Sequence, residues 1–306
     1  MRIILIGQAA FAHRVLDGLR ERGHDVAAVY CPPDAPGAKA DPLKTRAQEL
    51  DIPVHQHATL KGPAVAAELA AYGADLGVLA YVTQIVPPPV FDAPRLGSIC
   101  FHPSLLPRFR GGSAIPWQLI KGETRTGVTV FWVDPGIDTG PILLQKSAAV
   151  GSDDTAGSLY YNTLFELGIA TVLESVDLIA AGSAPRLPQD ESQASYDPLC
   201  RDAHAHIDWD RSAAEVYNLI RGCDPQPGAY VLRAGNKVRA YDARRADAKS
   251  ADPGVVAAID AHGIVVGARG GSIAIGRLRV GDKKVAASDA AAALGLVVGM
   301  PLGDPV

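Results

Sequence analysis

The chain has 306 residues, of which 48% are hydrophobic and 20% charged, and a formal net charge of −4. Such a balance fits a globular protein with a sizeable core, excludes extensive disorder, and lacks the basic excess of a protein held to nucleic acid mainly through phosphates. Four scattered cysteines without a CxxC pair argue against a disulfide framework or structural zinc, and no apolar run is long enough for a secretory leader or a membrane span, so a reducing cytoplasm is expected.

In chain order, "RIILIG" from Arg2 is a short apolar run closed by Gly7. In "FAHRVLDGLRERG" Phe11, Val15, Leu16 and Leu19 recur at helical spacing, and Gly23 is its stop. "DVAAVYC" is a second strand, and "IPVHQ" with the Ala-rich "GPAVAAELAAYG" forms a third strand–helix unit. "LGVLAY" and "GSICFH" are further buried strands. "TGVTVFWVD" and "GPILLQKSAAV" read as a β pair around a turn, and Asp154 to Ala181 as a long helical region. Strands alternating with helices predict an α/β fold with a doubly wound, mostly parallel sheet over residues 1–180. Residues 181–205, rich in Pro, Ser, Ala and Asp, read as an extended linker. Residues 206–306 carry the helix "AAEVYNLIRG", a hairpin turned at Gly235–Asn236 and short glycine-punctuated strands, the pattern of a small barrel or sandwich. That part holds 13 Lys+Arg against 11 Asp+Glu, and the rest 16 against 22.

Gly7 is followed by Gln8, Ala9 and Ala10 rather than by the spacing G-x-G-x-x-G, so no NAD(P) site is expected, and the glycine serves the turn into the helix. His102 ends a buried strand at Pro103, where open α/β sheets bind ligands. A histidine there is more often structural, so it needs partners. In "VDPGIDTGPILLQ", Asp134 and Asp138 lie in a tight loop, and capping of the turn suits Asp134 better than Asp138. A histidine and a carboxylate on adjacent strand ends make a proton-transfer pair, the carboxylate orienting the imidazole and favouring its charged form. Arg108 and Arg110 of "RFRGG" suit either an anion clamp with the amides of Gly111 and Gly112 or an ion-paired surface loop. Trp117 is expected in the core. The i,i+2 pair His204 and His206 has no cysteine or third histidine nearby, and no metal is expected.

"HPSLLPRFRGGSAIPWQLIKGETRTGVTVFWVDPGIDTGPILLQ" resembles the signature region of the 10-formyltetrahydrofolate-dependent formyltransferase and hydrolase superfamily. The likeness runs from "RIILIGQAAF" through "APRLPQ" and "HIDWDRSAAEVYNLIRG" into the last strands. "GQAAF", "ADPL" and "FWVDPGIDTGPILLQK" are closest to the N-terminal hydrolase domain of 10-formyltetrahydrofolate dehydrogenase, and methionyl-tRNA formyltransferase is also similar. The resemblance implies a Rossmann-like formyl-folate domain followed by an OB-like β-barrel, with 10-formyltetrahydrofolate as formyl donor and neither metal nor NAD(P). It implies His102 and Asp138 as the catalytic pair. It implies that Leu79, Ala80, Tyr81 and Val82, with Val133, Asp134, Gly136 and Ile137, hold the pterin, and that the loop of Ser104, Arg108, Arg110 and Gly111 closes over substrate.

One position departs from the family pattern: Cys100 stands where formyltransferases usually carry the asparagine of Asn-x-His. A thiol is a weak donor, and losing one oxyanion donor costs about 3–4 kcal/mol of transition-state stabilisation. The departure favours the hydrolase-like subgroup. Cys100 reads as a buried small hydrophobe, with a formyl-accepting nucleophile as the alternative. The expected function is removal of the formyl group to water or to a small amine or thiol. Formylation of initiator methionyl-tRNA is the alternative, although Cys31–Glu49 holds as many acidic as basic residues. Sugar-nucleotide N-formylation and folate binding without turnover are further readings. The resemblance also implies carrier and aldehyde dehydrogenase domains downstream; neither is expected within these 306 residues, and no NADP chemistry is expected unless a separate partner supplies it.

Overall fold

The computed structural model describes residues 1–246 and 252–304. Its elements begin with β1 (Arg2–Gly7), α1 (Ala9–Glu21), β2 (Asp25–Cys31), α2 (Pro42–Glu49), β3 (Val54–Gln56), α3 (Pro63–Ala70), β4 (Leu76–Ala80) and α4 (Pro88–Phe91). They continue with β5 (Ser98–His102), α5 (Ala114–Ile120), β6 (Arg125–Trp132), β7 (Ile142–Ala149), α6 (Ala156–Leu159), a π-helical turn at Tyr160–Leu164, and α7 (Phe165–Ala180). The last are α8 (Ala213–Gly222), β8 (Ala229–Arg233), β9 (Asn236–Ala246), β10 (Val256–Asp260), β11 (Gly263–Ala268), β12 (Gly271–Val280), β13 (Lys283–Ala286) and α9 (Ala287–Ala293). Contacts divide the chain into two units. One holds Met1–Gly112, Thr126–Ala148 and Asn162–Asp197, and the other Ser113–Arg125, Ala149–Tyr161 and Pro198–Val306.

In the first unit seven strands form a sheet in the order β3-β2-β1-β4-β5-β6-β7. The pairs from β3 to β5 are parallel, and β6 runs antiparallel to β5. The doubly wound, mostly parallel reading holds, with the antiparallel strand on its later side. Near-continuous runs such as Ile3–Ile6 and Leu76–Ala80 are buried because helices cover both sheet faces. Helix α1 buries Phe11, Ala12, Val15, Leu16 and Leu19 on one stripe. Phe101, facing that side from β5, meets Phe11 at 4.4 Å, and Phe11 meets Phe165 edge-on at 5.8 Å. Each buried ring contributes roughly 1.5–3 kcal/mol. The opposite face packs Leu79, Val65, Leu69 and Val90 with Val82, Val133 and Cys100.

The order in which strands are added reverses between the parallel neighbours β1 and β4, the topological switch point at which such sheets bind ligands. A cleft opens there, at the ends of β1, β2 and β4, lined by Gln8, Tyr30, Cys31, His57, Tyr81 and Gln84 among others. Gly7 was expected to serve a turn, but its role is close approach. A Cβ on Gly7 would lie 2.2 Å from the Ala80 carbonyl oxygen, and it is Ala9, at φ +60°, that takes the turn.

In the second unit the C-terminal strands form an antiparallel sheet, β10-β11-β12-β9-β8, with β13 also on β12. Val216, Tyr217 and Ile220 of α8 share its core with Val231, Val238, Ile264 and Ile273. Among the described residues the strand order has β8 and β10 at its two ends, and the architecture is that of an antiparallel sheet domain. The β8–β9 turn sits one residue earlier than expected. Arg233 pairs with Asn236, and Ala234 and Gly235 take positive φ, the geometry a two-residue hairpin turn needs. Trp117, expected in the core, is only half-buried because its indole N–H reaches out to the Pro198 carbonyl.

Candidate active site

Period-two alternation along β5 sends Phe101 to the α1 side and Cys100 and His102 to the other. The following loop folds back so that the carbonyl of Phe109 lies 2.7 Å from His102 Nε2. A carbonyl only accepts, so Nε2 carries the proton and donates, and Nδ1 is the ring nitrogen left for proton traffic. Nδ1 faces Asp138 Oδ2 at 3.5 Å, and both side chains are largely buried. The amide of Gly111 donates to the same Oδ2 at 2.8 Å. Gly111 sits at φ +103°, and a Cβ there would lie 2.7 Å from the Asp197 carbonyl oxygen, so a side chain would push this donor out of place.

The pair is not formed on adjacent strand ends. Because β6 is antiparallel, Trp132 lies opposite Ile99 and the Val133 amide bonds Ser98 at the start of β5. The loop must therefore return along the sheet to bring Asp138 to His102. Gln189 fixes that return. Its Nε2 donates to the carbonyls of Asp138 (2.9 Å) and Gly140 (2.7 Å), and its Oε1 accepts from Arg110 Nη2 at 2.8 Å. Around it, Leu187 exchanges backbone bonds with Ile142, and Trp132 donates to the Pro185 carbonyl while Arg186 lies 3.7 Å over its ring. The extended segment 185–197 is thus bound along the first unit.

Backbone strain collects at the same places. Among the non-glycine residues at positive φ are Ala9, Tyr81, Phe109 and Asp138, in the turns after β1, β4, β5 and β6. Each such conformation costs of order 1–3 kcal/mol and persists where the surroundings impose it.

The other anticipated residues divide. Leu79, Val82, Val133 and Cys100 meet in one apolar cluster, and Ala80 is buried beside them in β4. Tyr81 and Ile137 stand half-exposed, as does the backbone at Gly136. Asp134 is occupied by its own loop, accepting from the Gly136 amide (3.0 Å) and the Thr139 hydroxyl (2.7 Å). Ser104 is fully buried and donates to the Arg108 carbonyl. Arg110 is no open clamp, since its guanidinium binds Glu191 at 2.6 Å and Gln189. Arg108 is exposed, its guanidinium 5.1 Å from the Phe109 ring centre. His102 and Asp138 do not line the cleft at β1, although Cys100 pairs with Leu79 on the neighbouring strand.

Burial, and next the charge of Asp138, push the Cys100 thiol well above its ordinary range. A protonated thiol is no nucleophile at neutral pH. Two sets of residues escaped the sequence reading. Gln189 carries no local signal, because its partners lie 49 to 79 positions away. Tyr30, Cys31, His57 and Gln84 become cleft residues only once the strand order is known.

The formyl transferase family model matches residues 1–173, and the formyl transferase C-terminal domain model matches residues 200–294. The chain is 45% identical to human mitochondrial 10-formyltetrahydrofolate dehydrogenase over 79% of its own length, and spans about a quarter (26%) of that protein. It is 37% identical to methionyl-tRNA formyltransferase of Geobacter sulfurreducens, with 99% of this chain and 97% of that one covered. Among solved structures, HypX from Aquifex aeolicus in complex with tetrahydrofolic acid superposes with a TM-score of 0.72 at 22% identity, over 100% of this chain and 49% of HypX. The sugar 3N-formyl transferase WlaRD matches with a TM-score of 0.71 at 19% identity, over 92% of this chain and 98% of its own. The last two show the fold. With both domain models matched in order and a relative aligned from end to end, the chain belongs to the formyl transferase family.

Proposed function

We propose that the chain removes the formyl group of 10-formyltetrahydrofolate, passing it to water or to a small acceptor. The observation that carries this reading is the buried His102–Asp138 pair, 3.5 Å apart and anchored on one side by the Phe109 carbonyl and on the other by the Gly111 amide. Asp138 positions the attacking water. As water adds to the formyl carbon, its proton passes to Nδ1 of His102, and Asp138 stabilises the resulting imidazolium. The tetrahedral intermediate then collapses. The C–N10 bond breaks, N10 of the folate takes the proton from His102, and formate leaves. The apolar patch of Leu79, Val82 and Val133, with backbone groups on either side, supports a pterin seat, since a neutral heterocycle with many donors and acceptors suits an apolar cleft lined by main chain.

Cys100 supports water over an amine, because its weak donor replaces an amide at the oxyanion. Ser104 and Arg110 serve the loop that carries Gly111, and we assign them to positioning. Methionyl-tRNA formylation is the second reading, favoured by the end-to-end match to such an enzyme. We keep 1–180 as the formyl-folate domain, 181–205 as the connecting segment and 206–306 as a module whose long β12, paired with three strands, supports a curled, barrel-like form. Among the described residues no helix is long and apolar enough to cross a membrane, and a cytoplasmic setting is part of the proposal.

The test gives the full chain 10-formyltetrahydrofolate with water alone, with charged initiator tRNA, or with an amino-sugar nucleotide. Formate release in water, not accelerated by either acceptor, supports the proposal. Rapid, salt-sensitive formylation of the tRNA establishes the second reading instead.

A further inference from the structure

Beside the cleft, but outside the His102–Asp138 pair, three metal-ligating side chains converge. His55 in β3 and His57 just beyond it are two positions apart, so both face the same side, and their rings lie within 5° of parallel. Glu68 of α3 brings Oε1 to 3.1 Å from His55 Nδ1 and to 3.1 Å from His57 Nε2. The three donor atoms all lie within 4.8 Å of one another. Ligands held at the usual zinc bond lengths in a tetrahedron stand about 3.4 Å apart, so little movement would seat a cation. We propose that His55, His57 and Glu68 form a binding site for one divalent cation of the zinc class.

Three further observations support the site. His55 Nε2 lies 2.6 Å from the Tyr72 hydroxyl, the outer partner that a ligating imidazole ordinarily has. With Nδ1 on the cation, Nε2 carries the proton and donates to Tyr72. The Tyr30 ring stacks on His55 at 4.8 Å and is almost fully buried, which holds the imidazole in place. A carboxylate oxygen shared between two imidazoles is a donor arrangement that a dication complements. Two histidines and one glutamate, with no sulfur ligand, are the donor set of zinc sites that keep an open position. His57 and Tyr30 both line the cleft, so that position is available to water or to an anionic group entering there. No local motif marks the site, because Glu68 stands 11 residues beyond His57 on a different element.

The inference is independent of the formyl reaction, and its test does not use activity. Untagged full-length protein, stripped by chelator, is titrated with Co²⁺ and then with Zn²⁺, with visible absorption as the readout. One equivalent of Co²⁺ with the intense bands of tetrahedral cobalt, displaced by Zn²⁺, is expected. His57→Ala and Glu68→Gln should each weaken binding at least tenfold, with circular dichroism unchanged, while His206→Ala leaves it intact. No stoichiometric binding by the wild type at micromolar Co²⁺ or Zn²⁺ overturns the proposal. So does binding that survives both His57→Ala and Glu68→Gln.

Discussion

Replacing Gln189 by Ala tests whether a residue far from the reacting atoms sets the catalytic geometry. The side chain donates to the carbonyls of Asp138 and Gly140 and accepts from the Arg110 guanidinium. Two neutral bonds contribute about 0.5–1.5 kcal/mol each and the charge-assisted one about 1.5–3 kcal/mol. Gln189 is only partly buried, so water replaces part of this, and a net loss of about 2 kcal/mol is expected. If roughly 1.4 kcal/mol of that had kept Asp138 in register with His102, kcat/KM falls about tenfold. Formate release under kcat/KM conditions gives the rate, and urea unfolding of the same samples gives the stability. Gln189→Glu adds a control, since it still accepts from Arg110 but has no N–H for the two carbonyls, and should keep the catalytic loss while recovering part of the stability. A Gln189→Ala enzyme within twofold of wild type in kcat/KM, despite a lowered urea midpoint, refutes the positioning role.

Three further outcomes follow. Gly111→Ala places a Cβ 2.7 Å from the Asp197 carbonyl oxygen at φ +103°, and should lower kcat/KM by more than tenfold with a modest fall in Tm. Burial, followed by the charges of Asp41 and Asp34, pushes Cys31 from 9.0 up to about 11. A raised thiol pKa means less thiolate, so at pH 8 alkylation of Cys31, read by peptide mass spectrometry, should run roughly a hundredfold slower than for an ordinary thiol and quicken only as pH approaches 11. Cys100→Asn supplies an amide donor and should raise the ratio of amine formylation to hydrolysis at least tenfold, measured as formylated amine against formate. An unchanged ratio removes Cys100 from acceptor choice.

Much of the first unit was legible because its strands are short apolar runs and α1 carries a clean 3.6-residue stripe. His102 was legible as a strand-end residue, and the family resemblance of the two loops brought Asp138 with it. The reversed direction of β6 was not legible, since a buried antiparallel strand and a buried parallel one have the same composition, and this reversal decides how Asp138 approaches. Helix α2 was missed for a different reason. Eight residues with a weak apolar stripe owe their start to Asp41, which accepts from the Leu43 amide and, across the fold, from that of Ala9. The roles of Gln189 and of the His55–His57–Glu68 cluster depend on contacts between distant segments, for which local periodicity holds no information.

The central claim is that His102 and Asp138 carry the chemistry at the formyl group while the patch of Leu79, Val82 and Val133 supplies the pterin's binding. Single-turnover release of formate from 10-formyltetrahydrofolate, measured alongside tetrahydrofolate affinity for wild type, His102→Ala and Asp138→Asn, tests it most directly. The account predicts at least a thousandfold loss of turnover in both variants, with folate affinity within about threefold of wild type. Turnover near the wild-type rate in both variants, or loss of folate binding in step with activity, would contradict it.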